Sequence, residues 1–119
     1  MKNFYFFLFL FLILFSCSNS NTDKDTLDIN GLFTYTTPNC NNGGNPEINC
    51  ILFIKFLDES TVDVLIDGGD IVYRTDYVIN DGEINFSKKP GLNYDISFKI
   101  INETTLKHIQ NDNIWLKSE

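Results

Sequence analysis

The sequence has little of the histidine and cysteine on which many catalytic and metal sites depend. Its 119 residues include one histidine, His108, and three cysteines that lack the spacing of a zinc framework. No Gly-x-Ser-x-Gly nucleophile motif and no glycine-rich phosphate loop is present. His108 follows Leu106 on the same face of a predicted strand, which indicates a partly buried strand residue instead of a base. We therefore predict a protein that is not an enzyme, with no catalytic residue, metal or cofactor.

Basic residues are also scarce. The chain has 9 Lys and Arg against 16 Asp and Glu, a formal net charge of −7. Because no basic stripe is present to contact phosphates, we exclude nucleic acid as a partner. The acidic balance is typical of a solvated surface, or of a protein whose partner is cationic. Asp67-Gly68-Gly69-Asp70 lacks the alternating ligands of an EF-hand, so we do not expect it to bind calcium.

A long hydrophobic run occurs only near the N-terminus, from Phe4 to Phe15. As a helix, this run would rise about 18 Å, which is too short for a hydrocarbon core of roughly 30 Å. Lys2 precedes the run and Leu14-Phe15-Ser16-Cys17 ends it, as in a bacterial lipoprotein signal peptide covering residues 1–16. Phe15 departs from the small residue usual at its position. A plain signal peptide and a retained anchor are the alternatives.

The expected consequence is a protein tied to a membrane by acyl chains, palmitate among them, on Cys17. We expect it in the cell envelope, at the outer membrane, on the periplasmic or the surface face. Residues 17–28 are polar and charged, which predicts a flexible tether. Its acidic stretch resembles the surface-export signals of Bacteroidota lipoproteins, and Asp25-Thr26-Leu27 resembles their O-glycosylation triplet. Residues 29–119 are enough for one domain.

That domain is predicted to be all-β, because apolar residues alternate with polar ones. The alternating sets are Leu52, Ile54 and Phe56; Val62, Val64 and Ile66; Ile84 and Phe86; and Tyr94, Ile96, Phe98 and Ile100. Turn formers separate them at Asp58-Glu59, Asp67–Asp70, Asn80-Asp81-Gly82, Lys89-Pro90-Gly91 and Asn102-Glu103. Strands joined by hairpins favour a small antiparallel up-and-down β-barrel of seven or eight strands, since closure removes exposed sheet edges. A two-sheet β-sandwich is the alternative.

Two cysteines remain after Cys17 is assigned to lipid. In an oxidising compartment, Cys40 and Cys50 are expected to form a disulfide, with two free thiols as the alternative. The loop from Thr37 to Asn49 is longer than a hairpin needs, and it is therefore the best candidate for a recognition surface. The candidate binding residues in it are Thr37, Asn39, Asn42, Asn45 and Glu47.

Three segments carry a resemblance to a known family. They are the opening strand Asn30-Gly31-Leu32-Phe33, the hairpin from Tyr77 to Ile84, and the closing strand Ile114-Trp115-Leu116-Lys117. Together they resemble the lipocalin-like domains of bacterial, Bacteroidota-type lipoproteins. Those domains usually open with Gly-x-Trp, and Phe33 stands at the tryptophan position here. The resemblance implies a small up-and-down barrel and transfers no catalytic residues.

Three roles fit these observations. The first is a non-catalytic binding module for a small apolar ligand or an envelope protein, although the aromatic residues are more readily explained as core. The second is an inhibitor of a lysozyme-type or other envelope hydrolase, since lysozyme-inhibiting lipoproteins resemble this chain in size, anchor and single disulfide. The third is a structural subunit whose contact patch comprises Ile51, Phe53, Leu65 and Ile101. The sequence does not decide ligand identity or oligomeric state.

Overall fold

A computed structural model describes residues 28–119, which form a closed barrel of eight antiparallel strands. The predicted signal peptide of residues 1–16, the lipidation of Cys17, the Asp25-Thr26-Leu27 triplet and all of the tether but Asp28 lie outside the described residues. Each strand pairs with the next one in sequence, and β1 pairs with β8. The strands are β1 (Gly31–Thr36), β2 (Ile51–Phe56), β3 (Thr61–Leu65), β4 (Tyr73–Asn80), β5 (Glu83–Phe86), β6 (Ser97–Asn102), β7 (Thr105–His108) and β8 (Ile114–Lys117).

This topology confirms the predicted all-β, up-and-down barrel and fixes the strand number at eight. The β-sandwich alternative is wrong, because β1 and β8 pair in register at Phe33–Lys117 and Thr34–Leu116 and so close a single sheet. Among residues 28–119, closure leaves no unpaired strand edge for another chain to extend. No helix among residues 28–119 is long and apolar enough to cross a membrane.

The barrel interior is filled by side chains. Aromatic rings meet inside it: Phe98 lies edge-on to Trp115 with centroids 5.4 Å apart, and Phe33 lies edge-on to Phe56 at 5.8 Å. This packing agrees with the expectation that most of the aromatic residues form core. Each large apolar side chain buried in this way stabilises the fold by about 1.5–3 kcal/mol. The buried apolar cluster comprises Ile29, Phe33, Ile54, Phe56, Val62, Val64, Tyr77, Ile84, Phe86, Leu92, Ile96, Phe98, Leu106 and Trp115.

The hairpins follow from residues that adopt a positive φ. Asp81 and Gly82 join β4 to β5 with φ values of 50° and 75°, as a tight two-residue hairpin turn requires. Between β2 and β3, the Asp58 carboxylate accepts the main-chain N–H groups of Ser60 and Thr61 at 2.8 and 2.7 Å. Both turns were predicted from the sequence.

The predicted strand from Tyr94 to Ile100 is wrong at its start. β6 begins at Ser97, and the Tyr94 side chain is 43% exposed in the preceding loop. Ser97, predicted to face solvent, is buried, and its N–H and hydroxyl both bond to the side chain of Gln110, at 3.1 and 2.8 Å. The polar partner that makes this burial possible lies 13 residues further along the chain.

The meander places alternate connections at opposite ends of the barrel. One end, here called the disulfide end, carries the four longer loops: 37–50, 66–72, 87–96 and 109–113. The other, here called the N-terminal end, is where the chain enters β1. It comprises Asp28 to Asn30, the turns 57–60, 81–82 and 103–104, and the last residues after β8.

Candidate functional site

The structure confirms the disulfide between Cys40 and Cys50, whose Cα atoms lie 5.5 Å apart. It closes a loop at the disulfide end of the barrel, and none of residues 37–50 belongs to a strand, as predicted. Beside it, the Thr37 N–H donates to the Cys50 carbonyl oxygen at 2.8 Å. Further along the loop, the Asn49 N–H donates to the carbonyl oxygen of Gly68 at 2.9 Å. The loop is therefore fixed both at its base and against the β3–β4 loop.

Two asparagine side chains of this loop form hydrogen bonds within the loop's own turns. The Asn42 Oδ1 atom accepts the Gly44 N–H at 3.1 Å, and the Asn45 Oδ1 atom accepts the Glu47 N–H at 3.0 Å. Such side-chain bonds to the N–H two residues on define Asx turns. Asn39 is exposed and has a φ of 56°, and Thr37 is half-buried at the loop base. The side chains of Asn42 and Asn45 therefore shape the loop, and a role for Thr37, Asn39, Asn42, Asn45 and Glu47 in binding stays a prediction.

A cleft of about 640 Å³ lies at the opposite, N-terminal end of the barrel. No site was predicted there from the sequence. Its walls come from three segments that are distant in sequence: the start of the described chain, the β2–β3 turn and the end of β4. The lining residues are Asp28, Ile29, Asn30, Phe56, Leu57, Asp58, Glu59, Tyr77 and Ile79.

The floor of the cleft is apolar and its rim leaves apolar side chains in contact with solvent. Ile29, Phe56 and Tyr77 are buried and belong to the barrel core. Leu57 and Ile79, by contrast, are 39% and 45% exposed. Water in this cleft thus contacts apolar surface that a bound apolar group would cover.

Ile79 is exposed although it is on the inward face of β4. It lies directly opposite Ile84 of β5, which is completely buried, and two residues after the buried Tyr77. Ile79 is the last apolar residue before the Asn80-Asp81-Gly82 turn, so it stands at the mouth of the barrel instead of inside it. An inward apolar residue next to a tight turn is the sequence signal that identifies this rim.

The β2–β3 turn holds its own rim carboxylate in a fixed position. Two main-chain hydrogen bonds from Ser60 and Thr61 hold the pKa of Asp58 below its ordinary value. The main-chain carbonyl of the same residue accepts the hydroxyl of Tyr77. Burial, together with the negative charges of Asp58 and Glu59, raises the pKa of Tyr77, so this phenol stays protonated and keeps donating.

The remaining candidates from the sequence do not assemble into reactive sites among residues 28–119. This part of the chain brings together no group of three His, Cys, Asp or Glu side chains that could hold a metal. His108 lies on β7, buried on the same face as Leu106, as predicted. Its ring stacks on Phe98 with centroids 4.7 Å apart.

The predicted outer contact patch is not assembled. Leu65 is only 4% exposed, so it is buried instead of offering a contact surface. Ile51 and Ile101 are about half exposed, but β6 is separated from β3 by β4 and β5 in the closed barrel. Ile101 therefore belongs to a different side of the barrel from Ile51 and Phe53. The prediction failed for Ile101 because strand alternation gives the face of a residue and not its position around the barrel, and it failed for Leu65 because an outward position on a strand can still be buried.

Comparison with known proteins does not assign the chain to a family. No protein-family model, no curated protein and no solved structure matches this chain.

Proposed function

We propose that the chain is a lipid-anchored lipoprotein of the cell envelope, attached to the outer membrane through Cys17, whose barrel has a non-catalytic binding role. The support for the anchor is the short apolar run ended by Leu14-Phe15-Ser16-Cys17. The barrel topology agrees with the lipocalin-like resemblance, which implies the same fold. Binding takes place at the N-terminal end of the barrel, in the cleft beneath Leu57 and Ile79.

The observation that carries the binding role is the exposure of these two rim side chains above an apolar floor. A volume of about 640 Å³ is within the range of roughly 300–1,000 Å³ typical of ligand sites. Since the barrel interior is filled, the ligand lies at the mouth and not inside. This geometry suits a small apolar group, or an apolar side chain presented by a protein partner.

The cleft also lies at the end of the barrel that the predicted tether reaches. Eleven residue steps separate Cys17 from Asp28, and even a fully extended chain of that length spans at most about 40 Å. In this arrangement, the cleft therefore binds its partner close to the membrane surface.

Photo-crosslinking in living cells tests the binding site. A photoreactive residue at Leu57, on the rim, is compared with one at Val78, which is 59% exposed on the outer face of β4. We expect an adduct at position 57 that is absent at position 78, and its mass identifies a small ligand or a protein. Identical adducts at both positions, or none at position 57, contradict the proposed site.

The anchor has its own test. Mass spectrometry of the N-terminal peptide from membrane-purified protein is expected to show acyl chains on Cys17. Cys17→Ser is expected to release the protein from the membrane fraction, whereas Cys40→Ser leaves it there. Membrane retention of the Cys17→Ser protein contradicts the proposed lipid anchor.

Inhibition of a lysozyme-type or other envelope hydrolase is the second candidate. The observation that favours it is the acidic rim of Asp28, Asp58 and Glu59, because such an end complements a cationic enzyme. Activity of a purified lysozyme titrated with the full chain tests this candidate directly, and unchanged activity at saturating protein eliminates it.

A further inference from the structure

We infer that the N-terminal cleft recognises a cationic segment of a peptide or protein, in which a Lys or Arg side chain neighbours an apolar one. This inference deepens the proposed function and depends on the cleft being the binding site. Its basis is the combination of three lining carboxylates with two exposed apolar side chains in one cleft.

The charges that line the cleft all have one sign. Asp28, Asp58 and Glu59 contribute carboxylates, and no Lys or Arg is among the lining residues. Within residues 28–119, the ion pairs of the barrel are formed elsewhere, and none includes these three acids. The pairs are Arg74 with Asp63, Lys88 with Asp95, and Lys107 with Asp112.

Two basic side chains of the neighbouring strands are already engaged. Arg74 makes two hydrogen bonds to the Asp63 carboxylate, at 2.8 and 3.0 Å. Lys117 donates to the Asn30 Oδ1 atom at 2.9 Å beside the cleft, so its amine neighbours the rim without pairing with a rim carboxylate. A cation brought by a partner therefore adds a pairing that this part of the chain does not supply itself.

The Asp58 carboxylate has a fixed orientation and one oxygen atom that is available to a cationic partner. Oδ1 of Asp58 accepts the Ser60 and Thr61 N–H groups, and none of the hydrogen bonds within residues 28–119 uses its Oδ2 atom. The same bonds lower the pKa of Asp58, so that it stays ionised at neutral pH. A carboxylate already fixed by its own turn loses little side-chain freedom when a cation binds.

The two ends of the barrel differ in their electrostatics. At the disulfide end, Lys88 and Lys107 pair with Asp95 and Asp112, Lys89 adds a further positive charge, and the other carboxylates of the loops are those of Glu47, Asp67 and Asp70. At the N-terminal end, the turns add the exposed carboxylates of Asp81 and Glu103 to those of the cleft. This concentration of negative charge attracts basic partners and repels anionic ones over about 8 Å at physiological salt.

The apolar part of the cleft narrows the class of partner. A small inorganic cation would leave Leu57 and Ile79 in water, whereas the methylene stem of Lys or Arg, or a neighbouring apolar side chain, would cover them. A purely apolar ligand would desolvate part of the rim carboxylates without pairing them. A segment with a cationic and an apolar side chain pairs with the rim carboxylates and also covers the exposed apolar side chains of the cleft.

Calorimetry with the full chain in a nonionic detergent, corrected with a detergent-only blank, tests the inference. The probe is a short peptide that alternates lysine and leucine, and it is compared with a peptide that alternates glutamate and leucine. We expect the lysine peptide to bind with an affinity that falls as salt is added, and the glutamate peptide not to bind.

Matched variants separate the two surfaces of the cleft. Asp28→Asn with Glu59→Gln is expected to weaken lysine-peptide binding by about threefold to tenfold. Asp67→Asn with Asp70→Asn, an equal change of charge at the disulfide end, is expected to leave binding unchanged. Ile79→Ser is expected to weaken binding by about fivefold, and Val78→Ser, the adjacent outward residue, by much less.

The outcomes distinguish this inference from the proposed function. If both peptides bind equally and Ile79→Ser weakens both, the cleft is a binding site, but the cationic specificity is overturned. If neither peptide binds, the cationic inference is also overturned, while the crosslinking experiment still decides on the cleft. If the two pairs of charge variants weaken binding equally, the attraction comes from net charge and not from the rim.

Discussion

Tyr77 donates its hydroxyl hydrogen to the main-chain carbonyl of Asp58 and so connects the inward face of β4 to the β2–β3 turn. The two residues lie 19 positions apart in the chain, and both line the N-terminal cleft. The same Tyr77 ring packs edge-on against Phe56 with centroids 5.0 Å apart. One side chain therefore contributes to the core, to the cleft floor and to the position of the acidic rim.

Tyr77→Phe removes this hydrogen bond and keeps the ring. We expect a loss of about 1 kcal/mol in the free energy of unfolding, since the carbonyl of Asp58 loses its partner at a partly buried position. Urea unfolding measures the change. Tyr94→Phe is the control, because that side chain is exposed and has no hydrogen-bond partner within residues 28–119. Equal stability of the two variants would show that the Tyr77 bond does not stabilise the turn.

Gly91 lies against the ring of Tyr73 in the β5–β6 loop. It has a φ of 83°, and a Cβ atom there would lie 2.7 Å from a ring carbon of Tyr73. Gly91→Ala therefore combines backbone strain with a steric overlap. Gly43→Ala is the matched control, because Gly43 also has a positive φ but open space around it. We expect Gly91→Ala to cost about 1–3 kcal/mol more than the control, measured by thermal or urea unfolding. Similar losses would mean that the loop moves aside.

The features of the barrel that were predicted correctly from the sequence are those set by residues close together in the chain. Polar residues separate Val62 from Val64 and Ile84 from Phe86, and this alternation predicted the buried faces that the structure confirms. Asp81-Gly82 gave a turn that needs positive φ, and the pairing of Cys40 with Cys50 was predicted from the cysteine count and the expected compartment. Each of these features depends on residues that lie close together in the chain.

The cleft was missed because it depends on distant segments. Asp28, Asp58 and Ile79 come together only after the strands have closed into a ring, and alternation does not give their distance. The loop from Thr37 to Asn49 was favoured because its length and asparagine content are visible in the sequence. In the structure, the side chains of Asn42 and Asn45 stabilise the loop itself.

The disulfide is expected to stabilise the barrel through its loop. Cys40 and Cys50 are separated by 10 positions, and closure of a loop of this length reduces the entropy of the unfolded chain by an amount worth about 2.5–3 kcal/mol. Cys40→Ser combined with Cys50→Ser should lower the free energy of unfolding by that amount without loss of the barrel signature in circular dichroism. Adding reductant to the wild type should have the same effect and none on the variant. A loss far below 1 kcal/mol would show that the loop is already constrained in the unfolded chain.

Burial of His108 makes the stability of the barrel depend on pH. Both ring nitrogens are buried without a hydrogen-bond partner within residues 28–119, and desolvation lowers the pKa of His108 from its ordinary value of 6.5. The unfolded chain therefore binds a proton at a higher pH than the folded one. Stability is fully present above about pH 6.5 and falls as the pH drops from there towards the folded-state pKa. His108→Phe keeps a ring on Phe98 and should remove this part of the pH dependence.

The measurement is the difference between wild-type and His108→Phe unfolding free energies at several pH values from neutral to mildly acidic. The difference isolates the histidine from the carboxylates, because the charged groups of the two proteins are otherwise the same. We expect the variant to gain stability relative to the wild type as the pH falls. A constant difference over this range would mean that His108 is protonated equally in the folded and unfolded chains, and therefore that its imidazole reaches water in the folded barrel.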